Sequence, residues 1–144
     1  MKLYALILLT LFLGKGCSQE VKKDLANTKI QYVANTRGFY QKITIQKQEI
    51  SVSKNRNDET NGVTTKISDT NWKQLITLFS KIDLDKLSTY EGPTQKRFHD
   101  GAAMANLTIT HKEKEYQSTT FDNGTPPVEI AGFVNKVTSL VKQE

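Results

Sequence analysis

The sequence contains few of the residues that usually mark a known chemistry. It has one cysteine, two histidines, one tryptophan and three prolines. With Cys17 alone, the chain can form no internal disulfide and no cysteine-based zinc site. Its 20 basic residues only slightly outnumber its 15 acidic ones, and they are spread along the sequence. Nucleic-acid binding usually needs a clustered basic face, so we expect no nucleic-acid partner.

The N-terminal apolar run is too short to cross a membrane as a helix. It extends from Leu3 to Leu13 and has 11 residues, whereas a spanning helix needs roughly 20. Lys2 precedes the run, and Gly14, Gly16 and Cys17 follow it. A positively charged N-terminus, a short apolar segment and small residues at the cleavage site are typical of a secretory signal peptide. The alternative is a buried first strand or helix.

This N-terminus resembles that of bacterial lipoproteins. In that family the signal peptide is cut just before a cysteine, and the cysteine is then acylated on its sulfur and its new amino group. The resemblance implies that residues 1–16 are removed and that Cys17 carries acyl chains such as palmitate. Two or three acyl chains hold a protein at a lipid bilayer, whereas one chain binds only marginally. The alternative is a plain secreted protein.

Two internal segments also resemble small uncharacterised envelope lipoproteins of Bacteroidetes-type bacteria. They are Asn35-Thr36-Arg37-Gly38-Phe39-Tyr40 and Lys96-Arg97-Phe98-His99-Asp100-Gly101. The resemblance implies a location in the cell envelope, at the outer membrane or at a periplasm-facing membrane surface. It implies no activity, no cofactor and no catalytic residues.

The chain after the leader divides into a tether and one domain. Residues 17–29 are polar without a clear period, which predicts a tether behind the acylated cysteine. Residues 30–144 are long enough for one domain with a single core. Removal of the leader leaves 18 basic against 15 acidic residues, which is close to balance.

Apolar and polar residues alternate with period two in several segments, which predicts β-strands. Phe39, Ile43 and Ile45 share one parity, and Ile50 and Val52 continue the pattern after a turn. This predicts a hairpin with one apolar face and one polar face. Further strands are predicted at Tyr32–Ala34, Val63–Ile67, Ala102–Thr110 and Glu115–Phe121.

Two amphipathic helices complete the predicted fold. Ser68 is a suitable N-cap, and the stripe of Trp72, Leu75, Ile76 and Phe79 follows it. Thr125 before two prolines predicts the start of a second helix, which carries Phe133 and Val137. The sequence therefore predicts an α+β domain in which an antiparallel sheet of five or six strands packs both helices on one face, in the order β-β-β-α-β-β-α. We expect one core formed by Phe39, Ile43, Ile45, Trp72, Phe79, Leu107, Ile109, Phe133 and Val137.

The sequence offers little for catalysis or metal binding. An extended segment from Ala102 to Thr110 would separate His99 from His111 by about 26 Å, so the two cannot share a metal ion. His111 is expected to be a turn residue. No serine lies in a nucleophile elbow, and His99-Asp100 is the one histidine beside an acidic residue. We therefore expect no metal and no cofactor.

The segment from Ser88 to Gly101 is the candidate binding loop. Loops of 14 residues are uncommon inside compact domains and are usually functional or disordered. Arg97, Phe98 and His99 belong to residue types common at binding hot spots, and Arg37 joins them if the first bend lies nearby. The alternative is that Phe98 attaches the loop to the core while the basic residues serve solubility.

These patterns favour a non-enzymatic envelope module, held at the membrane by Cys17, that contacts another protein, a peptide or a glycan. The alternative is an envelope hydrolase in which His99 acts as the general base. The hydrolase requires His99 to line a cleft within reach of a hydroxyl and a carboxylate.

Overall fold

A computed structural model describes residues 24–57 and 62–143 of the chain. The predicted leader, Cys17 and the first part of the predicted tether lie outside these residues. Within the described residues, no helix is both long enough and apolar enough to cross a membrane.

The described residues form an α+β domain. The strands are β1 (Lys29–Thr36), β2 (Phe39–Gln46), β3 (Glu49–Ser53), β4 (Val63–Lys66), β5 (Met104–His111), β6 (Lys114–Gln117) and β7 (Phe121–Asp122). The α-helices are α1 (Asp69–Phe79) and α2 (Ala131–Ser139), and short 3-10 helices cover Leu84–Thr89, Lys96–His99 and Leu140–Gln143. The predicted fold class is confirmed. Four strands precede α1, in agreement with the four segments predicted there although the predicted order counted three, and three strands rather than two follow α1.

All strands belong to one antiparallel sheet. Its spatial order is β4-β3-β2-β1-β5-β6, and the short β7 pairs with the first part of β5. The first four strands therefore form a meander, and β1 joins it to β5 at the centre of the sheet. Beside the edge strand β6 lies the 3-10 helix Leu84–Thr89, with Lys114 Nζ 3.5 Å from Asp85 Oδ1.

Both helices pack on one face of the sheet, as the sequence predicts. Ile30 and Tyr32 of β1 pair with Ile45 and Ile43 of β2, and all four side chains are buried. Phe79 of α1 lies 5.9 Å from Phe133 of α2, measured between ring centroids. The two helices and the apolar sides of the strands therefore form one core.

The other face of the sheet is polar and carries neither α-helix. Along one cross-strand row, each of six strands contributes an uncharged polar residue. The row is Thr64, Ser51, Thr44, Gln31, Thr108 and Gln117, from β4 to β6. Thr44 and Ser51 of this row are buried, so the face is polar but not fully exposed to solvent.

The helix starts agree with the sequence at α1 but not at α2. Ser68 is the N-cap of α1, and its Oγ accepts a hydrogen bond from the Asn71 backbone N–H. The predicted start of the second helix at Thr125 is wrong, because α2 begins at Ala131. Thr125 instead forms a β-bridge with Asp122, so its backbone is paired before any helix begins.

Two further expectations need correction. The predicted boundary between tether and domain lies too late in the chain, because residues 24–26 are helical and Leu25 is completely buried in the core. Phe39 is 42 % exposed rather than in the core. It has the inward parity but is the first residue of β2, beside the turn that joins β1 to β2.

Candidate functional site

The candidate loop is fastened to the sheet by one buried carboxylate. The Asp122 side chain is 1 % exposed, and β7 places it beside the segment from Thr94 to Arg97. Its Oδ2 accepts hydrogen bonds from Thr94 Oγ1 at 2.6 Å and from the Lys96 N–H at 2.7 Å. Its Oδ1 accepts from the Arg97 N–H at 3.1 Å and from Arg97 Nη1 at 3.0 Å.

The loop is locally ordered because its middle forms a short helix. Asp122 accepts from the first two free backbone N–H groups of the 3-10 helix Lys96–His99, which have no partner within that helix. The helix ends at His99, and the φ of 55° at Asp100 turns the chain out of the helical conformation. The Gly101 N–H then donates to the Lys96 carbonyl at 2.9 Å. The predicted long loop therefore contains regular structure.

Burial and hydrogen bonding act in opposite directions on the pKa of Asp122. Burial alone would raise the pKa of this carboxyl, because the charged form loses its contact with water. The hydrogen bonds from Thr94, Arg97 and Lys96 stabilise the charged form and outweigh burial. The pKa of Asp122 therefore lies below its usual value, and the carboxylate is charged whenever the domain is folded near neutral pH.

Arg97 connects this buried anchor to an exposed aromatic ring. Its guanidinium forms the ion pair with Asp122, and its side chain is only 13 % exposed. The same guanidinium lies 4.4 Å from the centre of the Phe98 ring, which is a cation–π distance. Phe98 itself is 67 % exposed. The alternative, in which Phe98 attaches the loop to the core while the basic residues serve solubility, is wrong: Arg97 attaches the loop, and Phe98 is exposed.

His99 does not meet the geometric requirement of a general base. It is exposed at the end of its short helix, and within the described part of the chain it forms no hydrogen bond or ion pair with a hydroxyl or a carboxylate. The structure thus offers His99 none of the partners that the hydrolase alternative requires. The residues that the structure describes also contain no group of three or more His, Cys, Asp or Glu side chains that could hold a metal ion.

His111 lies far from this loop, at the opposite end of β5. It is the last residue of that strand rather than a turn residue, since the turn itself comprises residues 112 and 113. His111 Nδ1 and Thr28 Oγ1 are hydrogen-bonded at 2.8 Å, and the His111 ring lies 6.3 Å from that of Phe79. These contacts give His111 a structural role in fastening the chain ahead of β1 to β5.

Arg37 lies at the same end of the sheet as the loop. It is exposed in the turn between β1 and β2, two residues after Asn35. Asn35 pairs with Met104, and Met104 pairs with Asp122, so two strand spacings of about 4.8 Å separate Asn35 from Asp122. The fold therefore brings the first turn and the candidate loop to one end of the sheet.

A second arginine–aromatic pair at this end was not found from the sequence. The Arg56 guanidinium lies 5.7 Å from the centre of the Tyr40 ring, and Arg56 Nη2 donates to the Thr36 carbonyl at 3.1 Å. The sequence also did not indicate Asp122 as the anchor of the loop. Its partners are 25 to 28 residues away in the chain, so no local pattern links them.

The candidate loop and the first turn lie outside two depressions on the surface of the described residues. One depression of the surface lies on α1 and is lined by Lys73, Gln74, Thr77 and Leu78. Another lies between β3, β4 and the chain after α2, with Ile50, Val63 and Leu140 in its lining. Neither includes a residue of the candidate loop. Phe98 and His99 are exposed at the surface and are enclosed by neither depression.

Comparison of the chain with models of protein families, with curated proteins and with solved structures finds no match.

Proposed function

We propose that this chain is a lipid-anchored protein of a bacterial cell envelope and that its domain is a non-enzymatic binding module. The binding surface in this proposal comprises the exposed side chains of Arg37, Phe98 and His99, with Arg97 as their support. The observation that carries it is the exposed Phe98 ring, which lies against a guanidinium that is itself fixed to a buried carboxylate.

A fixed aromatic side chain is a favourable binding element. Aromatic and arginine side chains dominate the binding energy of protein interfaces, because they combine a large contact area with directed hydrogen bonds. Association also costs free energy for each side chain that must be ordered. The contact between Arg97 and Phe98 lowers that cost in advance, because the ring is already packed against a side chain held by Asp122. Exposure of such a ring therefore supports a contact role.

The anchoring part of the proposal rests on the N-terminal sequence alone. Mass spectrometry of the mature protein is expected to find a chain that starts at acylated Cys17, and cell fractionation is expected to find it with membranes. The Cys17→Ser variant is the unanchored control and is expected to leave the membrane fraction. An intact leader, or an unmodified cysteine in the mature chain, would contradict this part.

The binding part is tested by crosslinking in intact envelopes followed by recovery of the protein. Phe98→Ala is the informative variant, because its exposed ring contributes little to the core and its loss should leave the thermal midpoint unchanged. Val128→Ala is the matched control, since Val128 is an exposed apolar residue at 81 % outside this surface. We expect crosslinked partners to be lost with Phe98→Ala and kept with Val128→Ala. Equal recovery from both variants would show that Phe98 is not part of the interface.

A further inference from the structure

Among the described residues, basic side chains outnumber acidic ones at one end of the sheet but not at the other. We define the turn end as residues 35–42, 53–57 and 94–104 together with Asp122. The described residues of this end include six basic side chains and two acidic ones, and the sequence between residues 57 and 62 adds two more acidic residues, Asp58 and Glu59. The corresponding ranges at the opposite end, 24–30, 46–50, 65–69 and 110–115, include five of each sign. The basic residues of the turn end are Arg37, Lys42, Lys54, Arg56, Lys96 and Arg97.

Among the described residues, most basic side chains of the turn end form no ion pair. Of its two carboxylates, Asp122 is buried and already paired with Arg97. Asp100 is exposed but forms no ion pair among the described residues. The same holds for the five basic side chains other than Arg97, each of which has no carboxylate within 4.0 Å in the described part of the chain. A cluster of unpaired cations raises the local concentration of an anionic partner and accelerates its association.

Exposed apolar groups lie between these cations. Tyr40, Asn35, Met104 and Asp122 form one cross-strand row, and Met104 is 47 % exposed at its centre. One end of the row carries the Arg56–Tyr40 pair, and the other carries the Arg97–Phe98 pair. Three strand spacings of about 4.8 Å place these pairs about 14 Å apart, which an extended segment of about five residues would span.

We propose that the turn end binds an acidic segment of another protein, in which Asp or Glu residues alternate with apolar ones. The carboxylates of the segment pair with Arg37, Arg56 and Lys96, and its apolar side chains contact Met104 and Phe98. This inference rests on the proposed function, because it names the partner of the same surface.

Two features favour a protein segment over the other anionic ligands. An acidic polysaccharide offers Met104 and Phe98 only the C–H faces of its sugar rings, whereas arginine, methionine and aromatic residues are enriched at protein interfaces. A membrane surface offers both charge and apolar groups. However, the described chain enters β1 at Lys29, and the turn end lies about 23 Å away at the other end of that strand. A domain tethered through its N-terminus therefore has this surface at the end remote from its attachment.

The test measures the affinity of labelled synthetic peptides for the purified protein. The probe is a pool of peptides of about ten residues, about twice the span of the row, in which Glu or Asp alternates with Leu or Phe. A pool with Lys in place of the acidic residues is the first control. Vesicles with anionic headgroups and a soluble acidic polysaccharide are added as competing ligands. We expect the acidic pool to bind, the lysine pool not to bind, and the affinity to fall as salt is raised.

Charge-reversal variants locate the binding site. Arg37→Glu with Lys96→Glu is expected to weaken binding of the acidic pool by about tenfold or more. The matched control is Lys73→Glu with Lys81→Glu, which makes the same change of charge. Lys73 lies on α1 and Lys81 just after it, and both are exposed. We expect this control to change the affinity by less than about twofold. Thermal midpoints of both variants establish that they are folded.

Three results would overturn the acidic-segment proposal. These are equal weakening by both variant pairs, binding of the lysine pool as strong as that of the acidic pool, and preferential binding of the vesicles or the polysaccharide. None of these results depends on the crosslinking experiment with Phe98→Ala. If crosslinking depends on Phe98 while charge reversal has no effect, the binding module stands and only the acidic partner is wrong.

Discussion

Gly92 provides a sharp test of how the candidate loop is held against the sheet. A Cβ atom added at this position would lie 2.9 Å from Phe121 Cβ and 3.4 Å from the Thr125 carbonyl oxygen. The backbone of Gly92 is not among those with positive φ, so alanine is compatible with its conformation. Any loss of unfolding free energy in Gly92→Ala therefore comes from the close approach of the new Cβ atom to Phe121 and not from backbone strain.

Neither side of this contact can move freely. Phe121 is completely buried, and its ring lies 6.2 Å from that of Tyr32. The loop around Gly92 is held on one side by the hydrogen bond from Thr119 Oγ1 to the Tyr90 carbonyl, and on the other by Thr94 and Asp122. Extra volume in a well-packed site costs about 1–3 kcal/mol. For a domain of this size, that cost lowers the thermal midpoint by about 4–12 °C.

Gly38→Ala is the matched control for this substitution. A Cβ at Gly38 meets no atom within 4 Å, and Gly38 also has no positive φ. We expect this variant to be unchanged or more stable by up to about 1 kcal/mol, because alanine restricts the unfolded chain. Thermal denaturation followed by circular dichroism compares the two variants with the parent protein. Equal midpoints for the two variants would refute the close packing of the loop on β7.

Three more predictions concern stability. The lowered pKa of Asp122 stabilises the folded state above the usual carboxyl pKa of 3.8, and this stabilisation is lost as the pH falls further. The free energy of unfolding, measured by urea titration, should therefore fall more steeply with acid in the parent protein than in Asp122→Asn. Parallel pH profiles of the two proteins would contradict this. Phe133→Ala removes a side chain that is 2 % exposed and should lower the free energy of unfolding by about 3–5 kcal/mol, as measured by denaturant titration. Leu25→Ala should lower the free energy of unfolding by about 2–5 kcal/mol, because Leu25 is completely buried. Its control is Val63→Ala, at a residue that is 80 % exposed, which should change the free energy of unfolding by less than about 0.5 kcal/mol. A Leu25→Ala variant as stable as Val63→Ala would place the start of the domain after residue 28.

The elements that the sequence predicts well are those that local periodicity determines. Alternating apolar residues place β2 and β3, and the hydroxyl of Ser68 places the start of α1 within one residue. Each of these signals depends on neighbours fewer than ten positions away. The central strands carry most of their apolar residues on one side, with Val33 and Met104 as exceptions, and this pattern predicts that both helices cover the same face.

The features that the sequence did not predict depend on distant partners. Leu25 stands alone among polar residues, and its burial follows from a core formed by the rest of the chain. Thr125, where two following prolines predict a helix start, instead has its hydroxyl 2.9 Å from that of Thr94, 31 residues earlier. The candidate loop was found from its length and composition. Its organisation around Asp122 could not be found, because a single aspartate before Asn-Gly is usual for a turn.

The position of β1 at the centre of the sheet has a consequence for the order of folding. The meander from β1 to β4 pairs neighbours in sequence, whereas the residues that pair β1 with β5 are 69 to 81 positions apart in the chain. Contacts of such long range form late and slow the folding of β-rich domains. Until β5 has paired with β1, the backbone N–H and C=O groups along one edge of β1 are unpaired, and its apolar side chains are incompletely covered. Such an edge promotes aggregation. A chain that emerges from a ribosome or a translocation channel N-terminus first therefore cannot close this sheet until residues 104–111 have followed.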